Sequence, residues 1–176
     1  VADAWADLAV QTAASVDDDR FSVSLRALSQ PEILQPAIAL LARQIGQPSL
    51  PAPVWQREQA KSIAALAEAQ TRPPFVAQTA FTHAVYGQHP YGQTPNAASL
   101  KAISAADLRQ FQQRYLNACG ARISMVGALS RAQAEAIAQQ LLGSLPQACP
   151  SLPAVAQVAS TAHSPAKHQR ITMPAA

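Results

Sequence analysis

At 176 residues, 49% of them hydrophobic but only 5% aromatic, the chain is long enough to bury one core, and its alanine-rich make-up favours packed helices over an all-β sandwich. Its net charge of +3 comes from 13 Lys and Arg against 10 acids, with the basic residues scattered singly, which argues against a nucleic-acid-binding surface. The longest apolar stretches, such as Ala37–Ala42, are far too short to span a bilayer, and a chain opening on Val1 and stopping beside a strand-like stretch is expected to be a piece of a longer one.

In chain order, Val1, Trp5, Leu8 and Ala9 recur at helical spacing and predict a helix over Val1–Ala13. The polar run Asp17-Asp18-Asp19-Arg20 predicts a turn. Phe21–Leu28 alternates apolar and polar residues as a half-buried strand does. Ser29, Pro31 and Glu32 form a helix start, with Ser29 as N-cap, and that helix should run to about Gln44 and stop at Gly46. Pro51–Gln70 is the longest helical pattern. Phe75–Tyr86 is the next helix, closed by Gly87, and Gln88–Asn96 is a turn-rich loop. Ser104–Asn117 is predicted helical, with Ser104 as N-cap and Asp107 at the third position of a variant capping box. Arg122–Val126 is a short strand ended by Gly127, and Ser130 caps a helix reaching about Leu142. Gln147–Ala166, rich in Pro, Ala and Ser, is a linker, and His168–Met173 alternates as one more strand. Helices outnumber strands and separate them, which gives an α/β or α+β two-layer arrangement.

Chemistry-bearing patterns are few. The sequence has no G-x-S-x-G, no Walker A and no G-x-G-x-x-G, and its six glycines are dispersed. Among the histidines His83, His89, His163 and His168, no pair has metal-ligand spacing on a helix. His83 falls in mid-helix, where it packs half-exposed. His89 sits in the compact turn His89-Pro90-Tyr91-Gly92, where a ring nitrogen can tie down loop backbone. Cys119 and Cys149 lack C-x-x-C spacing; they are either two thiols or, in an oxidising compartment, a disulfide. Glu58 and Glu68, on the long helix, lie about 80° apart around its axis and roughly 15 Å along it, so they cannot serve as one acid/base pair. Arg57 and Lys61 bracket Glu58, which suits an acid in the first turns of a helix with exposed ion pairs.

The order of these pieces resembles the insulinase/pitrilysin (M16-type) family of zinc peptidases, which includes mitochondrial processing peptidase. The residues that carry the resemblance are the helix opening Arg57-Glu58, the turn His89-Pro90-Tyr91-Gly92, and the helix Ala106–Tyr115 ending on Tyr115. The strand Ile123–Gly127 and the helix end Leu141–Pro146 complete the series. The resemblance implies an α+β two-layer sandwich. It also implies domain limits: 1–146 is a partial peptidase domain lacking its start, 147–166 a linker, and 167–176 the start of a further strand or domain.

Active members of that family hold zinc through an H-x-x-E-H helix plus a distant glutamate, leaving an open position for a water. The resemblance sets that glutamate seven residues after Glu58, where this chain has Ala65; Glu68 could replace it only in another register. No H-x-x-E-H occurs in the sequence, and the resemblance places that helix before Val1. The expectation is therefore an inactive peptidase homologue with no catalytic residue, no metal ligand and no cofactor of its own. It would pair with an active zinc-bearing subunit as a heterodimer that encloses peptide substrates. Two other readings are a truncated piece of an active zinc endopeptidase and a structural core-type subunit. By the same resemblance the compartment is the bacterial periplasm, which would tolerate a Cys119–Cys149 disulfide.

Overall fold

The computed structural model describes residues 2–152 together with 154, 155, 157 and 170. The elements among them, in chain order, are α1 (Ala2–Asp7), β1 (Gln11–Val16), β2 (Phe21–Arg26), α2 (Pro31–Gly46), α3 (Ala52–Ala69) and α4 (Pro73–Tyr86). A 3-10 turn (Pro90–Gly92), α5 (Ala97–Ala102), α6 (Ala105–Tyr115) and α7 (Arg131–Ser144) complete the series. The architecture is α+β, made of these helices and, among the described residues, one two-stranded antiparallel sheet. The described residues fall into two compact units. One is built from the stretch up to Pro51 and from Ala105–Ser151, the other from Ala52–Ser104. The predicted strand His168–Met173 and most of the predicted linker beyond Leu152 lie outside the described residues.

In the first unit, the predicted helix Val1–Ala13 stops at Asp7. The chain turns where Ala9 takes a positive φ of 51°, and the amides of Ala9 and Val10 close onto the carbonyls of Ala6 and Trp5. The next residues form β1, because Gln11–Val16 gains a full hydrogen-bonded partner in β2, with Gln11 opposite Arg26 and Val16 opposite Phe21. Helical spacing in the sequence could not register that pairing. The turn at 17–20 forms as expected. Asp17 Oδ1 accepts from the amides of Asp19 (2.9 Å) and Arg20 (2.8 Å), and the Asp17 amide donates to the Arg20 carbonyl (2.9 Å). β2 is less buried than its alternation predicts, with Phe21 and Val23 46% and 39% exposed. Only Leu25 and Ala27, at its far end, pack on the core. Phe21 and Val23 instead line an apolar groove of about 450 Å³ with Leu41, Ile45, Leu108 and Phe111.

The core gathers on α2. Ala37, Ile38, Leu41 and Ala42 are buried in one stripe, as an amphipathic helix requires, and Trp5 and Val10 close over Ala37 and Leu41. The N-cap of α2 is Gln30 rather than Ser29, with no side-chain cap; Pro31 at the first position, which has no N–H to satisfy, removes part of the need for one. At its other end α2 is approached very closely by α7. A Cβ added at Gly46 would run into the carbonyl group of Ser144. Gln112 of α6, only 8% exposed, donates through Nε2 to the terminal carbonyls of Ile45 (3.1 Å) and Gly46 (3.3 Å), which have no partner within the helix. α7 begins with the expected cap: Ser130 and Gln133 form a reciprocal capping box.

The predicted strand Arg122–Val126 has no ladder partner among the described residues, where the sheet is β1–β2 alone. An alternating pattern makes a strand only where a neighbour supplies hydrogen bonds, and among the described residues none does so here. Cys119 and Cys149 are joined by a disulfide with Cα atoms 5.8 Å apart.

The Gly46 contact gives a test. Gly46→Ala should lower the stability of the folded chain by about 1–3 kcal/mol through forced separation of α2 and α7, read from urea unfolding followed by circular dichroism. A variant as stable as the parent would show that the approach is not tight.

Candidate functional site

The second unit carries most of the residues singled out from the sequence. α3 runs without interruption from Ala52 to Ala69 and places Arg57, Glu58, Ala65 and Glu68 on one rod. Seven residues bring Ala65 back to nearly the same side of the helix as Glu58, about 10 Å further along, while Glu68 is turned away from Ala65 by about 60°. Ala65 and Glu68 are both exposed in this unit. Because α3 starts at Ala52, Glu58 is its seventh residue and lies beyond the first turn, where the helix dipole acts most. Its carboxylate is therefore held by its neighbours. Lys61 Nζ lies 3.1 Å and Arg57 Nε 3.3 Å from Glu58 Oε1.

The hydrogen bond from Lys61, above all, with that from Arg57 adding to it, keeps the Glu58 carboxyl below the usual glutamate range. Because the folded pKa is depressed, the stabilisation from this cluster is present above the unfolded value. It fades as pH falls through the lowered folded value. Both side chains are solvent-exposed, so the cluster is worth little to stability. It is a surface network, with no proton poised for catalysis near neutral pH.

Two residues of α3 that carry no motif in the sequence tie it to α5. Trp55 Nε1 donates to the Ile103 carbonyl (3.0 Å), and Gln59 Nε2 donates to the carbonyls of Leu100 (2.8 Å) and Ile103 (3.0 Å). Spaced i, i+4 on one face, they cap the C-terminal end of α5. α5 itself falls between the predicted loop and the next predicted helix. Its signal is present in Asn96 and Ser99, whose side chains and amides exchange a capping box.

The His89-Pro90-Tyr91-Gly92 segment is a 3-10 turn seated against the end of α4. His89 Nδ1 accepts from the Tyr91 amide (3.2 Å), and the Gly92 amide donates to the His89 carbonyl (2.8 Å). The rings of His89 and Tyr91 meet edge to face at 4.7 Å, and Tyr86 meets Tyr91 the same way at 5.7 Å. Gly92 is buried, and a Cβ there would come within 2.6 Å of the Gly87 carbonyl oxygen, so the turn needs glycine at this point. Gly87, with φ 55°, reverses the chain after α4. The other ring of interest, His83, is exposed on α4, with Nε2 3.2 Å from Thr94 Oγ1.

Tyr115 and Gly127 belong to the first unit. Tyr115 stacks on Phe111 at 4.8 Å with the Arg114 guanidinium 5.6 Å from its ring, and Gly127 has φ 154° after the unpaired segment 122–126.

Zinc chemistry needs several His, Cys, Asp or Glu donors around one point. Among the described residues no three such side chains converge. The donor set does not fit the metal: Ala65 offers a methyl group, Glu58 is engaged by two cations, and Glu68 is turned away on the same helix.

No family model matches the sequence, and no curated protein matches it either. Among solved structures, the chain is similar to the crystal structure of a peptidase M16 inactive domain from Pseudomonas fluorescens. The two agree with a TM-score of 0.86 at 31% sequence identity, over 90% of this chain and 39% of that one. The chain shares the fold of that M16 inactive domain. It spans about two fifths of the length of the matched M16 chain.

The charge cluster on α3 can be checked directly. In a carbon-detected NMR titration, the Glu58 carboxyl should titrate below a solvent-exposed glutamate, and Lys61→Ala should move its midpoint upward. An unchanged midpoint in that variant would show that Lys61 does not hold the carboxylate.

Proposed function

We propose that this chain is a non-catalytic M16-type domain that pairs with an active, zinc-bearing subunit and helps to enclose peptide substrates. The observation that carries the reading is the methyl group at position 65. In the register set by Arg57-Glu58, that is where the insulinase-type resemblance expects a zinc-ligating glutamate, and no neighbouring acid on α3 stands in for it. The similar domain from Pseudomonas fluorescens is itself described as inactive, which supports the same reading. On this account the His89–Gly92 turn shapes the domain, Arg57 and Glu58 form an exposed surface cluster, and none of them has a part in bond cleavage. The disulfide supports an oxidising compartment, in keeping with the bacterial periplasm.

The test uses the full-length protein, isolated alone and with whatever subunit co-purifies. Alone it should leave fluorogenic peptides uncleaved, and a zinc-bearing M16-type subunit should accompany it in native mass spectrometry. Adding the chain to that subunit should raise the rate of peptide cleavage. Hydrolysis by the full-length chain alone, abolished by a zinc chelator, would overturn the proposal in favour of an active endopeptidase. Stable assembly into a large complex devoid of peptidase activity would overturn it in favour of a structural subunit.

A further inference from the structure

The segment that leaves α7 is attached in an unusual way. The body of α7 is fixed by the buried Ile137 and by the approach of Ser144 to Gly46. Beyond Leu145 the attachments thin out. Gln147 Nε2 donates to the carbonyls of Leu142 (2.8 Å) and Leu145 (2.7 Å), but these bonds are local to the segment. One backbone bond reaches another part of the unit, from the Ala118 amide to the Pro146 carbonyl (3.0 Å). Among the described residues the other tie is the bond between Cys149 and Cys119.

The two ends of that bond differ in how firmly they are held. Cys119 sits on a turn organised by Asn117, which is 7% exposed. Asn117 Nδ2 donates to the Arg114 carbonyl (3.0 Å), and its Oδ1 accepts from the amides of Cys119 (3.1 Å) and Gly120 (3.2 Å). This is a rigid post. Cys149 sits in a strap of exposed residues between Pro146 and Pro150, in no helix or strand, and the two prolines bring no amide that could anchor it. Both cysteines are exposed, so an attacking thiolate can reach either sulfur.

We propose that Cys119–Cys149 is a redox-operated clasp: oxidised, it pins the chain leaving α7 to the Asn117 turn, and its reduction by a dithiol frees that strap while the helices stay folded. In the step, a thiolate of the dithiol attacks one sulfur to give a mixed disulfide and release one protein thiolate. The second thiol of the reductant then resolves the mixed disulfide. Two electrons pass to the protein, each cysteine sulfur takes up one proton, and the reductant leaves as its own disulfide. The consequence is local, because α2, α6 and α7 are held by Ala37, Leu41, Gln112 and Ile137 without help from the bond.

Hydrogen–deuterium exchange of the chain with and without dithiothreitol, monitored by mass spectrometry, tests the clasp. On reduction, the Ala118 amide, which bonds the Pro146 carbonyl, should exchange roughly tenfold faster in the first minutes, while the Cys119 and Gly120 amides stay held by Asn117. Peptides from α2 and the body of α7 should stay protected, and the far-ultraviolet circular dichroism should not change. The Cys119→Ser/Cys149→Ser variant should show the same fast exchange whether or not the reductant is present. Two outcomes would overturn the proposal: unchanged exchange of the Ala118 amide after complete reduction, or loss of protection in α2, α6 and α7 together, which would make the bond a staple of the whole fold.

Discussion

The first unit depends on how closely other elements can approach α2. Ala37 is fully enclosed, Gly46 leaves room for the Ser144 carbonyl, and Gln112 reaches the last carbonyls of the helix. The glycine at 46 lets α7 come within backbone range of α2, and α6 reaches the same end through the Gln112 side chain. In compensation, the interface offers few large apolar groups to bury. The core is accordingly slight, built on Trp5, Val10, Ala37 and Leu41, and packing of this kind tolerates little added volume. The same economy leaves the β1–β2 hairpin with Phe21 and Val23 partly open to solvent.

Much of the helical layout is legible in the sequence because its signals are local. Pro31, Pro73, Gly46, Gly87 and the Ser130–Gln133 box mark ends that a helix must solve with residues nearby in sequence. The family resemblance is legible for a similar reason, since it rests on the order of short motifs, and the matched M16 domain is similar over 90% of the chain. The features that escape the sequence depend on partners distant along the chain. β1 exists because β2 pairs with it, and 122–126 has no ladder partner among the described residues, so neither outcome is written in its own residues. The roles of Trp55 and Gln59 require knowing that α5 ends beside α3. Whether two cysteines 30 residues apart are bonded likewise depends on the fold bringing their Cα atoms to 5.8 Å.

The candidate site shows the limits of a motif more sharply. Arg57 and Glu58 open the stretch that resembles a zinc-peptidase helix, yet they build an exposed ion cluster with Lys61. His89, a potential ligand by type, spends Nδ1 on the Tyr91 amide. Motif residues can therefore be present where the chemistry they accompany elsewhere lacks its donors. An alanine in an alanine-rich helix is uninformative alone, and position 65 acquires meaning only from the register around it.

The central claim, that this domain has no metal centre of its own, is tested most directly by the metal content of the full-length protein purified from zinc-supplemented medium. Inductively coupled plasma mass spectrometry should find far less than one zinc per chain, and Glu68→Gln should leave that value unchanged. One tightly held zinc per chain, lost on that substitution, would contradict the account.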